Sequence, residues 1–213
     1  MEIWEKRLIE AGFKELINPA VDILKTKTYP CHNYNSTLER LNLLVSYLKN
    51  VNSNIILAAL YKDVCFLPTL PPKRSEERAK ELLNEIAKSK NVYNKNVELA
   101  GDLILNTSHD WKLVKFNVEC NDLAVLLDVD ALYYGHDFTV FENKQKLLAK
   151  EQIGDFNNAN ILSKEMRAQA RYFEKLLNVR GSIFHTLKAY AKHEKAAKLN
   201  IKNFIEKYKE IKK

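Results

Sequence analysis

Residues able to do chemistry are scattered along this 213-residue chain, and most lie beside an apolar stretch. Lys62-Asp63 follows directly on the run Ile55-Ile56-Leu57-Ala58-Ala59-Leu60-Tyr61. Asp128 and Asp130 follow the apolar residues 123–127, His32 and Asn33 sit in an early loop, and Thr107-Ser108-His109 ends a helical pattern. A charge at the end of a buried helix needs a partner, because stranding it in low dielectric is costly. By spacing alone, Lys62 forms a structural salt bridge to a nearby aspartate. Active-site clusters are built from the same groups, so a catalytic use of the carboxylates stands beside that reading. Cys31 next to His32 is a sequence neighbour and not a catalytic pair.

The elements that must position these groups read as helices. All five prolines fall in the first third, and from residue 73 onward nothing removes a backbone donor. Ile3, Trp4, Leu8, Ile9, Leu16 and Ile17 recur at helical spacing, which predicts one opening helix. A short second helix is expected to start at Pro19, since proline suits a first helical turn. Residues 26–35 read as a loop, after which Ser36 or Thr37 caps a helix carrying Leu38, Leu41, Leu44, Val45 and Leu48. The run 55–61 reads as a buried helix, and Ser75 opens another with Glu76 and Glu77 in its first turn. Further helices are predicted at 95–107, 121–134, 137–152, 159–178 and 186–211. Gly101 inside the first of these marks close packing. The expectation is one all-α domain over 1–213, a compact bundle of roughly eight to ten helices, with a basic C-terminal helix at about 186–211.

Composition bounds the function. With 46% hydrophobic and 29% charged residues the chain is globular and not disordered. Charges throughout the first twenty residues exclude an apolar signal core, and the run 55–61 is too short to span a bilayer. Three widely spaced cysteines without a CxxC pair fit reduced thiols in the cytoplasm. The net charge of +7 sits largely in the lysines after Lys188. It can attract anionic partners, but Glu194, Glu206 and Glu210 interrupt the positive face, so a solvated helix is the expectation and nucleic-acid binding the lesser alternative.

The order of these pieces resembles the small predicted metal-dependent phosphohydrolases of the HD superfamily, over about residues 4 to 201. Members carry a Tyr-His-Asn-x-x-His loop, Phe-His-Asp at a helix end and Asn-Glu-x-x-Ser-Ala. A Thr-x-x-His element, an Asp-x-Asp-Leu helix and a late Glu-x-x-Ala-Arg-x-Asn-Leu segment follow. Here the loop is Cys31-His32-Asn33-Tyr34-Asn35-Ser36, with serine at the second histidine. The doublet is Tyr61-Lys62-Asp63, with lysine at the defining histidine. Ser75-Glu76-Glu77 retains its glutamate, Thr107-Ser108-His109 is one residue short, Asp128-Val129-Asp130 keeps both aspartates, and Glu194 through Ile201 closely matches the last segment.

The resemblance implies a helical HD scaffold and a divalent ion that would activate water and polarise a phosphoryl oxygen. Serine and lysine at two histidine positions remove imidazole ligands, and an ammonium repels a cation. The expectation is therefore a catalytically degenerate protein without a metal cofactor, in which Lys62 pairs with Asp63, Asp130 and Asp128. Lys62 and Asp63 are the vestigial catalytic doublet. His32, Asn33, Glu76 and His109 are the candidate ligand-binding residues. A polar pocket near Lys62, Lys73, Arg74 and His109 would take a nucleotide or another phosphorylated small molecule. The alternative is an active phosphohydrolase with a rearranged site, in which His32, Asp63, His109 and Asp130 surround one ion.

Overall fold

The computed structural model describes residues 1–48, 51–70, 72–107, 121–153 and 159–209. Among them the chain is all-α, with ten α-helices, one 3-10 turn and no strand. It divides into two compact units, Met1–His109 and Asp110–Lys213.

The first unit contains α1 (Ile3–Glu10), α2 (Lys14–Thr26), α3 (Tyr34–Tyr47), α4 (Ser53–Tyr61), α5 (Pro72–Ser89) and α6 (Lys95–Asn106). The central element is α4, which touches α1, α3, α5 and α6. Every residue from Asn54 to Tyr61 is buried, which explains a helix without a polar stripe. The opening helix predicted to run through residue 17 is instead broken at Gly12. There φ is +84°, Gly12 N donates to Ile9 O and Phe13 N donates to Leu8 O. That pair of bonds is a Schellman cap, which requires a left-handed residue just past the helix. Leu8 and Phe13, both buried, seal the corner. Pro19 does not start a helix but sits inside α2. The same cap recurs after α5, where Asn91 has φ +57° and Val92 N donates to Ala87 O.

Two expected caps also move. Asn33, not Ser36 or Thr37, caps α3: its Oδ1 accepts from Ser36 N while Ser36 Oγ accepts from Asn33 N, both at 3.0 Å. Helix α5 begins at Pro72, where a missing N–H is harmless, and Ser75 lies buried inside the helix. The close approach expected at Gly101 is present. A Cβ there would lie 3.0 Å from the Cγ of Lys80, whose Nζ reaches Asp102 at 2.7 Å.

The second unit contains α7 (Asn121–Ala131) running into a 3-10 turn (Leu132–Gly135), then α8 (Phe138–Ile153), α9 (Ala159–Arg180) and α10 (Leu187–Lys209). Phe141, Phe173 and Phe204 are buried in its core. Phe204 meets the other two rings steeply inclined, with centroids 5.5–5.6 Å apart. Gly135 is fixed by proximity, since a Cβ there would come 2.8 Å from the Cβ of His193.

The connection into α10 is held by two buried carboxylates. Glu194 accepts from Ile183 N and Phe184 N, and Asp128 accepts from His185 N and Thr186 N, all at 2.7–3.1 Å. Thr186 Oγ1 then accepts from Ala189 N and completes the cap of α10.

Candidate functional site

The polar centre of the first unit starts from α3. Thr37, Arg40, Leu41 and Leu44 form its buried face, so a guanidinium is carried inward at a position that otherwise calls for an apolar side chain. Arg40 Nη2 lies 2.6 Å from Asp63 Oδ2. Asp63 sits in the turn just after α4, where Val64 N donates to Tyr61 O and Phe66 N donates to Asp63 O. Lys62 Nζ approaches Asp63 Oδ1 at 3.4 Å. Two cations therefore converge on one carboxylate that is 4% exposed.

The loop between α2 and α3 is pinned onto this turn by contacts to Phe66. The His32 ring stacks on Phe66 at 3.6 Å and 12°, Tyr29 meets it edge-on, and Lys27 Nζ donates to Phe66 O at 2.8 Å. Asn33 Nδ2 donates to Tyr29 O, so both ends of that amide shape the loop and the cap.

Electrostatics tie the pieces together. Burial alone would raise the pKa of Asp63, yet the charges of Arg40, Lys62 and His32 hold its carboxyl well below the usual range. Such a carboxylate is a poor general base near neutrality. Glu76, in the early turns of α5, behaves oppositely. Burial pushes its pKa up to about 7, with Asp63 and Glu77 adding to the rise while its own backbone N–H and Lys62 oppose it. Its Oε2 is enclosed and lacks a hydrogen-bond partner, as do the buried hydroxyls of Ser75 and Thr37. Burial raises the Cys65 thiol against the influence of Lys27 and Arg78, and lowers Lys27 against Cys65 and Asp63.

The structure thus brings His32, Lys62, Asp63 and Glu76 into one neighbourhood, with Asn33 at the base of the loop. Lys73 and Arg74 are exposed at the start of α5. There Arg74 pairs with Glu77 at 3.0 Å, and a cleft of about 320 Å³ is lined by Leu70, Arg74, Glu77, Arg78 and Glu81. His109 lies outside the described residues. Asp128, Asp130 and Glu194 belong to the second unit, where Asp128 and Glu194 hold backbone amides of the 183–186 segment. Sequence reasoning missed Arg40, whose signal is a lone charge in the 37, 40, 41, 44 stripe. It also missed Phe66, which nothing in the local pattern marks.

The residues present do not fit the divalent ion that the resemblance to HD phosphohydrolases implies. Asp63 faces a guanidinium and an ammonium, and a cation placed on its oxygens would be repelled by both. Among the described residues no three His, Cys, Asp or Glu side chains are grouped as metal ligands. No family model matches this chain, and no curated protein or solved structure matches it either.

Proposed function

We propose that this chain is an HD-like helical protein in which an ion pair occupies the position of the metal. In this reading it does not hydrolyse phosphate esters and retains a pocket for a phosphorylated small molecule such as a nucleotide. The observation that carries it is the Arg40–Asp63–Lys62 cluster. A buried carboxylate neutralised from two sides cannot serve as a ligand or a base without first losing a partner. In this reading the two cations that share Asp63 would supply the attraction for such an anion. Three widely spaced cysteines without a CxxC pair are in keeping with a cytoplasmic setting in this reading. Among the described residues no helix is long and apolar enough to cross a membrane.

The nucleic-acid alternative is weakened by the pairing of lysines on α10. Lys198 binds Glu194, Lys207 binds Glu142 and Lys209 binds Glu174.

The test has two arms. Protein purified without chelator is assayed for bound metal and for phosphatase activity with manganese; neither is expected. Equilibrium dialysis then compares a nucleotide with its nucleoside, and only the phosphorylated form should bind. Hydrolysis that disappears in Asp63→Ala would overturn the degenerate reading, and equal binding of nucleoside and nucleotide would overturn the anion pocket.

A further inference from the structure

The outward surfaces of α9 and α10 carry unopposed cations and bare apolar side chains together. The two helices pack along each other, and Lys209 on α10 reaches Glu174 on α9 at 2.5 Å. On α10, Lys188, Lys192, Lys195, Leu199 and Lys202 are all exposed and recur at alternating four- and three-residue steps, so they form one stripe. On α9, Lys164, Arg171 and Lys175 are exposed at steps of seven and four. The acids of these helices cancel little of that charge. Glu194 is buried against the amides of 183 and 184, Glu174 is taken by Lys209, and Glu165 is half-buried with its charge acting on Arg171. Glu206, one turn beyond Lys202, is the exposed acid, and it closes the stripe.

A row of lysines alone is a solvated helix face. Here Leu199 stands inside the row at 58% exposure, Leu187 opens the helix at 87%, and Val179 near the end of α9 is at 54%. Met1 and Ile3 at the N-terminus aside, no large apolar side chain among the described residues is as exposed. Phosphates of a nucleic acid have no use for leucine side chains. A bilayer surface uses both kinds of group: acyl chains accept the leucines, and anionic headgroups accept the ammonium groups, whose long stems let them stay at headgroup level.

We propose that the outward surfaces of α9 and α10 dock on an anionic lipid bilayer, with Leu187 and Leu199 entering the interface and the lysine stripe resting on the headgroups. The attachment is peripheral and reversible, and neither helix crosses the bilayer. Two weak signals, shallow insertion and charge, act together, as stable peripheral anchoring requires.

The test sediments the full chain with phosphatidylcholine vesicles, alone or with about one lipid in four replaced by phosphatidylserine. In about 0.15 M salt the protein should pellet with the mixed vesicles and remain in solution with phosphatidylcholine alone. Excess duplex DNA at that salt should not displace it. The double variant Leu187→Ser, Leu199→Ser should partition about tenfold more weakly or worse. Lys192→Gln should cost about fivefold. Vesicle and duplex binding by the wild type decide the matter even if a variant fails to fold. No pelleting with the mixed vesicles, or equal pelleting with both kinds, would overturn the proposal. Release by DNA or by about 0.15 M salt would mark a general polyanion site and overturn it too. Undiminished partitioning of the folded leucine variant would remove the insertion on which it rests.

Discussion

Asp63 keeps its charge inside the first unit because Arg40 and Lys62 outweigh the cost of burial, and the two contacts are unequal. The guanidinium lies at 2.6 Å and the ammonium at 3.4 Å, with side chains 10% and 12% exposed. Arg40→Ala removes the nearer cation from a buried carboxylate, and about 3–5 kcal/mol of stability should be lost. Lys62→Ala leaves Arg40 in place and should cost about 1 kcal/mol. Urea unfolding of the two variants checks the order, which would reverse if Lys62 were the principal partner. Glu76 gives the complementary pH effect. Its folded pKa of about 7 lies above its ordinary 4.5, so the folded state binds more protons between those values. Stability should decline as pH rises through that window, by at most about 1.4 kcal/mol per unit, and Glu76→Gln should flatten the decline. At this scale the sequence marks His32, Lys62, Asp63 and Glu76 through their order. Arg40 escapes notice because it is written as a member of an otherwise apolar stripe. Only the fold shows that Asp63 waits opposite it.

At the scale of elements, helical periodicity reports buried faces well and breaks poorly. The predicted helix at 95–107 is found as Lys95–Asn106, and that at 137–152 as Phe138–Ile153. Periodicity runs straight through Gly12, however, because Leu8 and Phe13 are buried on either side of the turn and give no sign that the chain reverses between them. Pro19 misleads in the other direction. A proline lacks one donor, and helix α2 tolerates the loss in its interior. The two carboxylates that hold the segment ahead of α10 carry the clearest energetic consequence among the elements. Asp128→Ala leaves the amides of His185 and Thr186 without their acceptor and removes a negative charge from the helix start. A loss of about 2–4 kcal/mol should follow, measured by thermal or urea unfolding. An unchanged midpoint would show that the segment does not depend on Asp128.

For the whole molecule, a net charge of +7 overstates what is available to an anionic polymer. Lys146, Lys198, Lys207 and Lys209 all contact glutamates, and Glu142 alone takes Lys146, Lys207 and the hydroxyl of Tyr208. Retention on a generic DNA duplex should therefore be weak and should vanish by about 0.15 M salt. Tight binding with a steep salt slope would restore the nucleic-acid reading. The all-α class and most helix positions follow from the distribution of proline and the 3.6-residue rhythm. The division at residues 109 and 110 has no composition shift or linker to announce it. Non-local encoding of this kind recurs on a smaller span. Asp128 shapes residues 57 and 58 positions downstream, whose own side chains contribute nothing to those two bonds. Those bonds survive a change of side chain at His185, whereas Ile183 and Phe184 are also fixed by their burial. The specification for that bend is inherited elsewhere, in two acids that local comparison would never associate with it.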